Sequence, residues 1–185
     1  FLPLDDFIAG DDGIDTSIYL PGLLDPGRWN GQQYLMPKDY SPVGVYFNKK
    51  LFDQFGVAYP QDGWTWDDML AAAQALTQDT DGDGKTDIWG LQLPATWTSG
   101  FEYWVAAAGG SLISADGTQF VGNMDSPQVQ AALKFYADLY NVHKVAPPPA
   151  DLAMFGGGNT EFDQGRAAMR LSGRWPQSGY KTNPN

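Results

Sequence analysis

The stretch that decides the fold is Asn30 to Phe52, NGQQYLMPKDYSPVGVYFNKKLF. Asn30-Gly31 is the strongest short hairpin signal in it, because a two-residue type I′ turn needs positive φ at both central positions. Gln33 to Pro37 then runs extended into a proline. Lys38-Asp39-Tyr40-Ser41 gathers four polar side chains just before Pro42 fixes the backbone. Val43 to Phe47 is a short β-forming run. Asn48 is placed to cap a helix over Lys49 to Phe55, with Gly56 where a C′ glycine would end it. A polar cluster between two strands is a natural place for a ligand.

Working outward, residues 1 to 27 read as short helical turns and loops punctuated by Asp, Gly and Pro. Ile18 to Leu24 is expected to pack on the hairpin carrying Trp29 and Tyr34. Beyond Gly56, Thr65 is an N-cap for a helix from Trp66 to about Thr77, whose Trp66, Met69, Leu70, Ala73 and Leu76 form one apolar stripe. Ile88 to Leu93 reads as a strand. Phe101 to Ala108 reads as a short helix closed by Gly109-Gly110, and Leu112-Ile113 with Gln119 to Val121 as a hairpin around Asp116-Gly117. Ser126-Pro127 opens the clearest helix, with Val129, Ala132, Leu133, Tyr136, Leu139 and Tyr140 on its buried face. Thr160 should cap a short helix near Glu161 to Gln164, and Ala167 to Leu171 reads as a strand. Helices alternating with short strands indicate an α/β fold.

The totals restrict the partners. Over 185 residues the net charge is -11, so a nucleic-acid partner is disfavoured, since phosphate binding needs a basic surface. There is no cysteine, hence no disulfide and no thiolate chemistry. No apolar run approaches the roughly 20 residues of a membrane-spanning helix. The chain starts at Phe1-Leu2-Pro3 and stops in a turn-like KTNPN, which reads as a piece of a longer protein trimmed at both ends.

One loop carries a metal-ligand spacing. In DTDGDGKTD, Asp79, Asp81, Asp83 and Asp87 occupy positions 1, 3, 5 and 9 of an EF-hand-type loop, the Lys85 carbonyl takes position 7, and Gly84 stands at the sharp turn. Four carboxylates so spaced repel one another unless a cation joins them, so a structural Ca²⁺ is expected here. Position 12, where a bidentate Glu usually stands, is Gly90. The competing reading is a solvated acidic loop whose glycines merely allow turning.

Catalytic signatures are thin. Acid/base pairs are available among 22 acidic residues, yet most fall in turns or caps. His143, the one histidine, sits at a helix end without a G-x-S-x-G elbow to partner it, and no P-loop or G-x-G-x-x-G is present. Tryptophan in loops suits sugar recognition, because a pyranose offers an apolar C–H face to an indole. Trp97, in a loop after a strand, and Trp175, directly after a strand, are the candidate stacking residues, with a core role as the alternative for each. Trp66 and Trp104 read as core.

In order along the chain come YLPGLLD (19 to 25), WNGQQY (29 to 34), Pro37, VYFNKKLF (45 to 52), TWDD (65 to 68), AGG (108 to 110), FDQGRAAM (162 to 169) and SGRW (172 to 175). This ordered set, covering nearly the whole chain, resembles the family 1 extracellular solute-binding proteins of bacterial ABC importers, the group that includes maltose-binding protein. The resemblance implies a periplasmic-binding-protein-like (type II) α/β fold, two lobes joined by a hinge that close on a ligand. Residues 1 to 42 would end the first half of lobe one with its first hinge strand, and 43 to 185 would form most of lobe two. It implies a non-catalytic, monomeric sugar- or oligosaccharide-binding protein that delivers its ligand to the ABC permease, extracellular as a cell-surface lipoprotein or periplasmic. Asp39, Tyr40 and Ser41 would reach the cleft at the hinge, with Trp97 and Trp175 on the lobe-two side. The rival is a secreted, calcium-stabilised carbohydrate-active enzyme or adhesion module. On this reading Pro37 to Val45 is a crossing between lobes rather than a local break.

Overall fold

The computed structural model describes residues 1–10, 13–93, 99–148 and 160–184. Contacts divide the chain into two units, Phe1–Ser41 and Pro42–Asn185.

The first unit is built around a short hairpin. Strands β1 (Arg28–Trp29) and β2 (Gln32–Gln33) pair antiparallel across Asn30-Gly31, whose φ values of 48° and 80° are those of the type I′ turn that the sequence predicts. Among the described residues of this unit, the buried one is polar. Gln33 is 3% exposed, and its amide Nε2 donates to the Leu24 and Leu35 carbonyls at 2.9 and 2.5 Å. Helix α1 (Asp5–Ala9) is held to the same residue: the Gln33 N–H donates to the Asp5 carboxylate (3.1 Å), and the Leu4 N–H to the Gln33 carbonyl (2.7 Å). Of Ile18 to Leu24, expected to pack on the hairpin carrying Trp29 and Tyr34, Tyr19, Leu23 and Leu24 are half-buried, as is Tyr34, but the rest of the segment is exposed. Ile18, Leu20 and Trp29 are each at least 60% exposed, and loop carbonyls gathered on one glutamine do the fastening instead.

The second unit is a three-stranded sheet with helices packed on it. Strands β3 (Gly44–Phe47), β4 (Trp89–Gln92) and β5 (Ala167–Ser172) stand in the order β3-β5-β4, β5 antiparallel to β3 and parallel to β4. The outer edge of β4 is also engaged, the Leu91 N–H donating to the Val145 carbonyl at 2.9 Å. Helix α2 (Lys49–Phe55) begins at Asn48, whose side chain accepts from the Lys50 and Leu51 N–H groups, and ends at Gly56 with φ 67°. Helix α3 (Trp66–Leu76) carries a full capping box, in which Thr65 and Asp68 satisfy each other's backbone N–H groups. Helices α4 (Ser99–Ala107) and α5 (Pro127–Asn141) follow, and a short α6 (Gln177–Tyr180) comes after β5.

Phe52, Leu76, Leu91, Leu139 and Met169 are wholly buried at the centre of the core. Trp66 stacks on Phe135 (4.6 Å, 18°), and Trp104, 4% exposed, meets Trp66 edge-on, so both tryptophans are core as expected.

Three local expectations fail. Leu133 is 54% exposed, so the buried face of α5 is narrower than the sequence suggests. Around Asp116-Gly117 a turn forms, with the Ser114 N–H donating to the Gln119 carbonyl, but no strands flank it. Phe120 and Val121 are exposed, and an isolated two-stranded hairpin with no covering face is only marginally stable. Residues 161 to 165 form turns rather than a helix. Thr160 and Asp163 cap each other as in a helix start, but Gly165 at φ 73° stops the chain before a second turn can recoup the nucleation cost.

Candidate functional site

The strand register fixes where a ligand can meet the sheet. Gly44 pairs with Ser172, and Gln92 with Arg170, so the start of β3, the end of β5 and the end of β4 lie at one end of the sheet. Ligands of open α/β sheets bind in the crevice outside the carboxyl ends of parallel strands, and this is that end. Ser172 and Gly173 are buried there, and the chain surfaces at Trp175, which is 50% exposed. The Trp175 indole is folded back onto Gly173: a Cβ added to that glycine would stand 2.0 Å from the ring.

The same register assembles a polar row across the strands. Tyr46, Arg170 and Gln92 are neighbours on β3, β5 and β4, one residue along from the apolar row Phe47, Met169 and Leu91. Arg170, 8% exposed, donates from Nη1 to Tyr180 Oη (2.7 Å) and Thr160 Oγ1 (3.3 Å), with Asp163 Oδ2 at 3.5 Å. Gln92 Oε1 accepts the Phe162 N–H (3.0 Å), and Tyr46 Oη donates to the Gly173 carbonyl (3.1 Å). Tyr180 meets both Tyr46 and Phe162 edge-on. Burial pushes the Tyr180 hydroxyl up to about 12, although the Arg170 guanidinium pulls the other way. Turn 160–163 and helix α6 are thus fastened to the sheet on either side of Trp175 in sequence. An open hollow of about 320 Å³ beside α2 is lined by Tyr46, Phe47, Phe162, Tyr180 and Asn48 among others, but Tyr46, Phe162 and Tyr180 are engaged in this packing and Phe47 packs on Phe52 and Tyr59.

Of the residues singled out in the sequence, Trp175 stands at the sheet end, while Trp97 lies outside the described residues. Asp39, Tyr40 and Ser41 close the first unit. Asp39 forms an exposed ion pair with Lys38 (3.4 Å), Tyr40 is 57% exposed, and Ser41 is half-buried. Arg170, Tyr46, Gln92 and Tyr180 were not anticipated as a network. The available signal was an Arg inside the apolar run AAMRLS and a Gln inside WGLQL.

The acidic loop is closed at its base by a Gln78–Ile88 bridge. Carboxylate oxygens of Asp79, Asp81 and Asp87 lie within 4.8 Å of one another. Asp83 is turned to Lys85, accepting its N–H (2.8 Å) and pairing with its ammonium (3.1 Å). Asp79 accepts the N–H groups of Gly82 and Gly84, both glycines having positive φ, and Asp87 accepts the Thr80 N–H and hydroxyl.

Comparison with known proteins completes the picture. The family model described as "Bacterial extracellular solute-binding protein" matches residues 1–184. The diacetylchitobiose binding protein DasA of Streptomyces coelicolor is 27% identical over 179 residues, 96% of this chain and 39% of that protein. Among solved structures, the ABC substrate-binding protein Lmo0181 of Listeria monocytogenes, in complex with cycloalternan, superposes with a TM-score of 0.83 at 33% identity, over 99% of this chain and 45% of its own. An ABC transporter solute-binding protein from Thermotoga lettingae, bound with α-D-tagatose, gives 0.75 at 26%, over 94% and 43%. The chain therefore spans less than half the length of each of these relatives.

Proposed function

The chain belongs to the bacterial extracellular solute-binding protein family, and we propose that it serves as ligand-capturing sequence of an ABC importer, taking a sugar or oligosaccharide for delivery to a membrane permease. The fold is that of the type II periplasmic binding proteins. The observation that carries the ligand class is Trp175, a half-exposed indole at the carboxyl end of the central strand, where a pyranose C–H face can stack. Relatives named for diacetylchitobiose and solved with cycloalternan support a carbohydrate over other solutes. Asp39, Tyr40, Ser41 and Trp97 are proposed as further ligand contacts on the family resemblance alone. The protein acts as a monomer by binding and release, without turnover, at the cell surface as a lipoprotein or in the periplasm. Incubation with labelled malto- and chito-oligosaccharides tests this: a ligand-dependent rise in Tm with the sugar recovered intact is expected, and hydrolysed sugar would overturn it.

We also propose that the loop of Asp79, Asp81, Asp83, Lys85 and Asp87 takes a structural Ca²⁺. Its support is the convergence of three hard carboxylate donors at the junction of α3 and β4. Calorimetry on chelator-treated protein should show calcium binding that Asp81→Ala abolishes. Absence of heat at millimolar calcium would end the idea.

A further inference from the structure

We infer that Gly173 and Tyr46 are positioning residues for Trp175, setting the height and tilt of the indole; this rests on the carbohydrate reading of Trp175 given above. Three observations converge. The indole covers Gly173 so closely that a Cβ there would meet ring atoms at 2.0, 2.5 and 2.7 Å, so the backbone of the strand end is the ring's seat. That seat is fixed from β3, because Tyr46 Oη donates to the Gly173 carbonyl at 3.1 Å. Beyond the tryptophan the chain is fixed again, where Arg170 holds the Tyr180 hydroxyl at 2.7 Å and the Tyr180 ring meets Tyr46 at 4.9 Å. Tyr46 therefore touches the anchors on both sides of the six-residue span that separates Gly173 from Tyr180.

A tryptophan on a free loop would lose side-chain and backbone freedom on meeting a sugar. One seated against a strand end has lost it in folding, so less of the binding energy is spent on ordering. The chemistry of the seat is steric. Gly173 does not have a left-handed backbone conformation, so its need for glycine comes from the ring above it and not from φ. Gly173→Ala is consequently a ring-displacing change. The atoms it strikes belong to the far side of a partly exposed side chain, which can swing away without unfolding the strand.

The test uses protein labelled with 5-fluorotryptophan, the Trp175 resonance being assigned by its loss in Trp175→Phe. Gly173→Ala should move that ¹⁹F resonance, leave those of the core tryptophans Trp66 and Trp104 in place, and keep a cooperative melt. Tyr46→Phe, which retains the ring contact with Tyr180, should broaden or shift the same resonance to a smaller degree. Affinity is read with maltotriose and with N,N′-diacetylchitobiose as probes. Gly173→Ala is expected to weaken binding about tenfold, the scale of one lost aromatic contact, and Tyr46→Phe about two- to fivefold, the scale of one net hydrogen bond. An unmoved Trp175 resonance in Gly173→Ala overturns the positioning role, whatever the sugar does. A moved resonance with unchanged affinity keeps the seat and removes Trp175 from the sugar site. That outcome overturns the ligand reading and not the geometry. If neither probe binds, the resonance alone decides.

Discussion

Replacing Arg170 by Met keeps most of the side-chain volume and deletes the guanidinium from the middle of the polar row. Its contacts among the described residues go with it: Tyr180 Oη at 2.7 Å, Thr160 Oγ1 at 3.3 Å and Asp163 Oδ2 at 3.5 Å. Arg170 is only 8% exposed, so water does not simply take its place. Removing one partner of a buried ion pair costs about 3–5 kcal/mol, and a hydrogen bond to a charged group contributes about 1.5–3 kcal/mol. Two features place this case at the low end. Asp163 lies at the long limit of a hydrogen bond from Arg170 and keeps the Thr160 hydroxyl (2.6 Å) and N–H (3.1 Å), so its carboxylate is not orphaned. Tyr180 is half-buried and regains some water. A loss of about 3 kcal/mol follows, which for a chain of this size lowers Tm by roughly 6–12 °C. Urea and thermal melts of wild type, Arg170→Met, Tyr180→Phe and the double variant measure it. Because the Tyr180 hydroxyl is a shared partner, the double variant should lose about 1 kcal/mol less than the sum of the singles. A loss below about 1 kcal/mol, or strict additivity, would refute the view that this row fastens α6 to the sheet.

Further outcomes are expected. Gly90→Ala should be severely destabilising, because the added Cβ would stand 2.0 Å from the Ala73 carbonyl oxygen and 2.5 Å from its Cα, both backbone of α3; a urea midpoint equal to wild type sinks this. Folded Tyr180 holds its proton more tightly than the unfolded chain does, its hydroxyl being raised from 10.0 to about 12 chiefly by burial. Its contribution to stability is therefore full below pH 10 and is lost as pH rises towards 12, a decline that Tyr180→Phe should flatten. Asp68 is the converse case. The Thr65 hydroxyl and N–H hold its carboxyl below the usual range, so the capping box stabilises α3 above the ordinary value of 3.8 and fades as pH falls beneath it. Acid melts of Asp68→Asn should show a shallower pH dependence than wild type. Asp39→Ala should leave Tm unchanged, since its ion pair with Lys38 is solvent-exposed, and should weaken oligosaccharide binding in a titration; unaltered affinity removes Asp39 from the site.

The parts of this fold that could be read from the sequence are those in which cause and effect lie within a few residues. Asn30-Gly31 makes its turn, Asn48 and Gly56 bound α2, and Thr65 with Asp68 starts α3, because each of these signals acts on backbone groups at most five residues away. The same logic explains the failures. Thr160 and Asp163 formed the local cap but had no apolar stripe to extend it, and Asp116-Gly117 formed the local turn but had no face to cover its arms. The candidate site is non-local by construction. Arg170 stands inside an otherwise apolar strand run; its partners lie in a turn 10 residues before it and a helix 10 residues after it. Gln92 is paired with an N–H 70 residues on, and Tyr46 with a carbonyl 127 residues on. Gly173 is the sharpest instance. In SGRW it reads as one more turn glycine, yet its backbone does not need glycine's freedom; only the folded position of an indole two residues later explains why a side chain has no room there. Sequence patterns therefore locate Trp175 as a candidate, while the seat of its indole is made by atoms from β3, β5 and α6 that only the fold brings together.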